Sequence, residues 1–316
     1  MIDKLIKYFK ISFKFTNENW IIILIYLLVS LVVPIFIFLL IGLNVILALL
    51  SIGLISNFGS DPLNIGIIAV VGFFVIIFDI LFFSAIILFF SAVFTGIRAS
   101  IKELIKTEVK PNFDLVFNNF KYFLKRSLKL SFSFLVIKLG LLLIFLTIEG
   151  FVAGVFFFLR SLGEAPSIIS IIVGLIIGLL GFITYLIFII AIVYMSFWKK
   201  TSDTQMVLED SEWNEAFFKG RTTLHENWKI ILLEYFAIVI ITMVIMYGIQ
   251  MPIAMLSMIP IIGVLFGMIS WIVQMTWTTY IAIFDTVVYL LILGDINKKI
   301  NLEKLENKYL QETKEN

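Results

Sequence analysis

Four ionisable side chains of this 316-residue chain stand out within long apolar runs, where stranding a charge in hydrocarbon is costly and a functional role is the first reading. They are Asp79, Asp285, Lys138 and Glu149. Asp79 and Asp285 close the similar runs IIFD and AIFD, which suggests equivalent positions in two related parts of the chain. Lys138 and Glu149 share one run; eleven residues put them on one helix face but ~16 Å apart at ~1.5 Å per residue, too far to pair directly. A lysine meeting an aspartate inside a bundle is the kind of site that carries a proton or an ion. The competing reading is structural. Lys138 reaches the headgroups, Glu149 lies near the far end of its helix, and the aspartates are neutral or bonded to hydroxyl-bearing neighbours. Asn44, Gln250 and Gln274 are expected to bond to neighbouring helices.

Other chemistry has little to build on. There is no cysteine, so disulfides, thiolate catalysis and cysteine-ligated zinc are excluded. The single histidine, His225, stands between Leu224 and Glu226 with no second imidazole, and a surface position suits it better than a metal site. Neither a glycine-rich phosphate loop nor a nucleophile elbow occurs, so no catalytic residue, cofactor site or metal site is assigned and no enzyme is expected. Glu212 and Glu215 are explained by the preference for acids in a first helical turn. No nucleic-acid module is present.

The elements that must position these residues are membrane helices. Apolar residues are 61% of the chain and charged residues 15%, against ~45–50% and ~25% in soluble domains, an excess that no soluble core of this length could bury. About 20 apolar residues cross a bilayer. Six spans are expected, over 20–50, 63–97, 130–159, 167–198, 230–258 and 264–293, with turns at 56–62, 163–166 and 260–263. No cleavable signal peptide is expected, because the first apolar run is far longer than a signal core. All of the 24 lysines and arginines except Lys138 and Arg160 lie in the N-terminus, the two long connections and the C-terminus. By the positive-inside rule those segments, and with them both termini, are cytoplasmic.

The spans fall into three pairs. Trp213, Phe217, Leu224 and Trp228 align with Phe113, Phe117, Leu124 and Leu128, and with Leu5, Phe9, Thr16 and Trp20. The triplet Glu-Asn-Trp at 226–228 recurs at 18–20. Positions so spaced lie within about 60° on a helix, one apolar stripe in the second and third copies and a degraded one in the first. Each copy is read as an amphipathic interfacial helix ahead of a membrane hairpin, the first with Lys4, Lys7, Lys10 and Lys14 facing anionic headgroups. The expected fold is thus an all-α integral membrane bundle of six transmembrane helices in three hairpins, each preceded by such a helix. It forms a single membrane domain over 1–316 with repeat units 1–97, 98–198 and 199–293 and a polar tail over 294–316. The segment 199–229 is a polar connection, more acidic than its basic predecessor over 98–129, and the two are expected to attract each other. Small residues four apart, Gly150 with Gly154, Gly174 with Gly178, Gly263 with Gly267 and Ala92 with Gly96, are expected at close helix contacts.

At Glu215-Ala216-Phe217-Phe218-Lys219-Gly220, with Glu226-Asn227-Trp228-Lys229-Ile230 following, the chain resembles an uncharacterised family of prokaryotic six-span membrane proteins. It is similar in layout to the membrane domain attached to some glycerophosphodiester phosphodiesterases. The resemblance implies that layout and not the hydrolase activity, which belongs to a separate soluble barrel. Glu215, Ala216 and Gly220 also resemble the coupling loop of ATP-binding-cassette permeases, although Leu233 stands where such loops have proline.

These observations point to a non-enzymatic scaffold or accessory protein of the cytoplasmic membrane. Membrane lipids and other membrane proteins are its expected partners, and nucleic acid is not. Its candidate interface is Trp213, Phe217, Trp228, Phe117 and Trp20. The alternatives are a small-solute or ion transporter using Asp79, Asp285 and Lys138, and the permease subunit of an ATP-driven transporter.

Overall fold

A computed structural model of the chain describes residues 2–58, 62–107, 111–161, 167–257 and 263–311. The elements are α1 (Ile2–Glu18), α2 (Trp20–Phe58), α3 (Pro62–Thr107), α4 (Phe113–Ser161), α5 (Ser167–Glu209), α6 (Trp213–Glu226), α7 (Trp228–Ser257), α8 (Gly263–Ile296) and α9 (Leu302–Glu306), followed by a π-helical turn over Asn307–Gln311. Among the described residues, five helices are long and apolar enough to cross a membrane, and the bent pair formed by α1 and the start of α2, 78° apart, brings the number to six when counted as one span. The protein is an all-α, multi-pass membrane bundle. The expected turns on the opposite side fall largely on 59–61, 162–166 and 258–262, outside the described residues.

Helix length sets the architecture. At ~1.5 Å per residue, α3, α4 and α5, with 46, 49 and 43 residues, are roughly 65–75 Å long, twice the ~30 Å of a hydrocarbon core. Each therefore runs straight out of the bilayer. The hydrophobic core lies at one end of the bundle, where α1, α3, α4, α5, α6 and α8 meet around residues such as Tyr8, Ile101, Leu130, Met206 and Leu290. The connection expected over 199–229 is not a surface segment. Its first part continues α5, and Thr201 through Leu208 are all buried.

The Glu-Asn-Trp triplets explain where helices break. Asn19 donates its side-chain amide to the Phe15 carbonyl at 2.8 Å, and Asn227 donates to the Thr223 carbonyl at 3.1 Å. Each is a second bond to a carbonyl that also accepts the same asparagine's backbone N–H at 3.0 Å, and α1 and α6 end at these residues with a new helix starting at the tryptophan. The middle copy has Arg126-Ser127-Leu128 instead. Lacking that cap, it runs through as the single helix α4, so no separate interfacial helix precedes the third span.

The buried face of the three copies is offset from the stripe Trp213, Phe217, Leu224, Trp228. Ala216, Gly220, Thr223 and Leu224 are buried on α6; Tyr8, Ser12, Phe15 and Thr16, the aligned residues, are buried on α1; Val116 and Phe123 are buried on α4. Phe113 and Phe117 point outward. Gly220 lies against Ser202 of α5, whose Cα would be 2.6 Å from an added Cβ, and Gly96 of α3 lies equally close to Phe120 of α4. In contrast, Gly150, Gly154, Gly174 and Gly178 meet nothing within 4 Å, so these glycines do not mark helix contacts. Gly263 and Gly267 lie outside the described side chains.

Helix α1 is a docked element. Lys4 pairs with Asp295 at 3.3 Å and Lys7 with Glu306 at 3.0 Å, so these two lysines face the C-terminal segments and not headgroups. The Tyr8 hydroxyl donates to Asp295 at 2.7 Å; burial, then the bond to Asp295 and its charge, push that phenol well above its usual range.

Candidate functional site

Six charged side chains meet where α3, α5, α7 and α8 converge, none of them more than 27% exposed. Lys200 of α5 lies 2.8 Å from Asp285 of α8 and 3.3 Å from Glu234 of α7, and its ammonium sits 4.0 Å from the centre of the Tyr289 ring. One turn along α5, Asp203 pairs with Lys199 at 2.7 Å and with Arg98 of α3 at 3.3 Å. Three cations and three carboxylates thus form a balanced knot, in which Glu234 is fully enclosed. Withdrawing six charges this far from water, two of them fully, is tolerable only because each has an opposite partner.

Hydroxyl groups extend the knot into the seams around it. Lys199 also donates to Ser91 at 2.7 Å; Ser91 meets Ser131 at 2.5 Å and Thr95 meets Ser127 at 2.9 Å, a ladder that joins α3 to α4. Thr201 meets the Tyr289 hydroxyl at 2.6 Å, and Gln205 links Thr223 of α6 to Asn297 beyond α8. Lys102 donates to the Val207 carbonyl at 2.6 Å, closing the last turn of α5. The polar residues of 199–205 are there because α5 passes through the centre of the assembly at that level.

Of the four residues singled out by type, only Asp285 belongs to the knot. Asp79 accepts a hydrogen bond from Asn44 of α2 at 3.0 Å, so Asn44 does bond to a neighbouring helix. Asn44 stands 24 residues past Trp20, whereas Glu234, which shares Lys200 with Asp285, stands six past Trp228. At ~1.5 Å per residue these depths are ~36 and ~9 Å, so the two aspartates are not equivalent. Lys138 is half-buried on α4 and makes no ion pair among the described residues. Glu149 rests its carboxylate on the bare backbone of Gly181 in α5, where an added Cβ would be 3.4 Å away. Asp285 lines a cleft between α5, α7 and α8 whose described lining includes neither Asp79 nor Lys138. Gln274 is exposed, and the Gln250 side chain lies outside those described.

The composition-based reading passed over Arg98, Lys199, Lys200, Asp203 and Glu234. Glu234 carried a legible signal, as the lone charge in the run 230–258. Arg98, Lys199 and Lys200 sit at the edges of apolar runs and so read as flanking charges.

The expected interface divides. Phe217 packs on Trp198 and Phe134 with ring centres 4.4 and 5.1 Å away, and the Trp198 indole donates to the Phe217 carbonyl at 2.8 Å. Trp213 is packed against the same core. Trp20, Phe117 and Trp228 are exposed. Ala216 and Gly220 are buried, Gly220 directly against α5, so the residues that resemble a coupling loop form an internal contact. The expected attraction between the basic and acidic segments is carried by Arg126, 2.7 Å from Asp210 and 3.2 Å from Glu212. Lys121 and Lys125 are exposed. No protein-family model matches this chain, and no curated protein or solved structure matches it either.

Proposed function

We propose that the protein is a non-enzymatic scaffold or accessory of the cytoplasmic membrane, threaded as three related hairpins with both termini in the cytoplasm. The observation that carries this reading is the mutual pairing of these six buried and half-buried charges, which ties four helices together at the end where α1 and α6 dock. Charges arranged so serve to hold helices in register. The common buried face of the three copies supports the repeat, and the gathering of lysine and arginine at the packed end supports the orientation. Trp20, Phe117, Trp228 and the exposed apolar faces of α4 and α5 are then the surface for lipids and other membrane proteins. Purification from native membranes in mild detergent, followed by mass spectrometry, tests it. A membrane protein retained by the natural chain and lost from Phe117→Ala with Trp228→Ala is expected; no reproducible partner would sink the reading.

A second reading, a small-solute or ion carrier, is favoured by one observation. Lys200 and Asp285 line a cleft of about 460 Å³ between α5, α7 and α8. Solute or ion flux in proteoliposomes that disappears in Asp285→Asn would establish it in place of the scaffold.

A further inference from the structure

Helices α5 and α7 both pack on α8, yet the seam between them is open. Two adjoining clefts occupy it, of about 500 and 460 Å³, and they share Val193 and Phe197 as a common wall. The first is closed at its outer end by α6, where Leu224 and His225 meet Trp228 at the start of α7. The second runs beneath Tyr235 and Ile238 towards Lys200 and Asp285. Together they form a crevice with hydrocarbon walls that opens sideways from two spans.

The mouth differs from the walls. Arg221 stands one turn before His225 on α6 with its guanidinium 5.7 Å from the Trp198 ring centre, and the Lys229 ammonium is 5.9 Å from the ring centre of Trp228, which lines the crevice. Neither makes an ion pair among the described residues, whereas Lys4, Lys7, Arg126 and Lys219 on the same end of the bundle all do. Glu226 is the one acid among these mouth residues, which leaves the mouth net positive. A tryptophan at the boundary of an apolar slot, flanked by unpaired cations, matches the layering of a phospholipid: chain, glycerol region, phosphate.

We infer that the α5–α7 crevice holds one anionic glycerophospholipid of the surrounding bilayer, an acyl chain lying along Val193 and Phe197 and its phosphate held by Arg221 and Lys229. A groove between α2, α3 and α4 provides the internal contrast. It encloses about 270 Å³ behind Val29, Phe89, Phe117 and other apolar side chains, with no basic residue in its lining. It is expected to take a chain without selecting a headgroup. Within the α5–α7 crevice the Lys200 charge is already matched by two carboxylates, so the headgroup belongs at the mouth and only the chain reaches inward. The inference is independent of the scaffold reading, since co-purifying proteins and a retained lipid are separate readouts.

The test uses the full chain reconstituted in vesicles of equal parts phosphatidylglycerol and phosphatidylcholine, extracted in mild detergent, with retained lipids counted by mass spectrometry. One phosphatidylglycerol per chain, in excess over phosphatidylcholine, is expected. Arg221→Glu with Lys229→Glu should lower that excess roughly ten- to thirty-fold, as two surface cations at about 1 kcal/mol each imply. Val193→Phe places a larger side chain where the two clefts join, at a position 43% exposed, and should reduce retention of the lipid without unfolding the chain. Lys121→Glu with Lys125→Glu, on the exposed side of α4, should leave it unchanged. Retention of both lipids in the bulk ratio, an unchanged excess in the crevice variants, or an equal loss in the α4 variant would each overturn the assignment.

Discussion

The two ends of the long helices solve the burial problem in opposite ways. At the packed end, α3, α5 and α8 carry Arg98, Lys199, Lys200, Asp203 and Asp285 inward, and their neighbours close on them so tightly that Gly96 and Gly220 touch adjacent helices. In the other halves of α4 and α5, large side chains such as Leu143, Phe151, Leu175 and Ile187 face outward and five glycines face open space. In water an exposed apolar surface drives packing; in a bilayer it does not, because lipid tails are as apolar as leucine. Helix association therefore concentrates where polar groups demand partners, and the paired charges mark the part of the molecule that is most closely packed.

The largest test of that contrast is Lys200→Met, which leaves the enclosed Glu234 and the neighbouring Asp285 without their cation. Breaking a buried pair costs about 3–5 kcal/mol, and the variant should lose most of its stability in a detergent melt followed by circular dichroism. Adding Glu234→Gln should recover part of the loss by removing one of the orphaned charges. If Lys200→Met melts like the natural chain, the knot does not hold the packed end together.

Next in size is Gly220→Leu. Its Cβ would stand 2.6 Å from the Ser202 Cα, and a neighbouring backbone cannot yield as a flexible side chain can. An overpacking cost of about 1–3 kcal/mol is expected, with α6 lifted from α5 and cleaved first in limited proteolysis. Unchanged proteolysis would mean that α6 is not seated there.

Class, helical content and the pairing of apolar runs were legible because they depend on composition and length, which a bilayer constrains strongly. The helix breaks at Asn19 and Asn227 were half legible. Their triplet stood out, but its role as a carbonyl cap, and hence the continuity of α4 where the triplet is missing, appears only in the bonding. The site was legible least. A polar run such as 201–205 reads as surface in any hydropathy profile, and nothing local distinguishes a helix that leaves the membrane into water from one that leaves it into other helices. Glu234 was the exception, since a lone acid in an apolar run asks for a cation whatever surrounds it.

Arg126→Glu probes the rim of the packed end. The side chain bridges Asp210 and Glu212, both well exposed, so solvent screening limits the effect to about 1 kcal/mol or less despite the short 2.7 Å contact. A small fall in melting temperature that fades as salt is added is expected. A loss as large as that of Lys200→Met would extend the packed end out to the α5–α6 link.

The smallest effect is expected from Gly154→Ala, and it bears most directly on the outer halves. An added methyl group there meets nothing within 4 Å, and alanine is favoured over glycine within a helix by up to about 1 kcal/mol. In a bilayer, where the helix is already enforced by the lack of water, much of that preference is muted, so the melting temperature should rise slightly or stay within about 0.5 kcal/mol of the natural chain. The same substitution at Gly96, whose Cβ would stand 2.7 Å from the Phe120 Cα, should be clearly destabilising. Equal losses at both positions would mean that the outer halves close as tightly as the inner ones, and the contrast between packed and lipid-facing regions would fail.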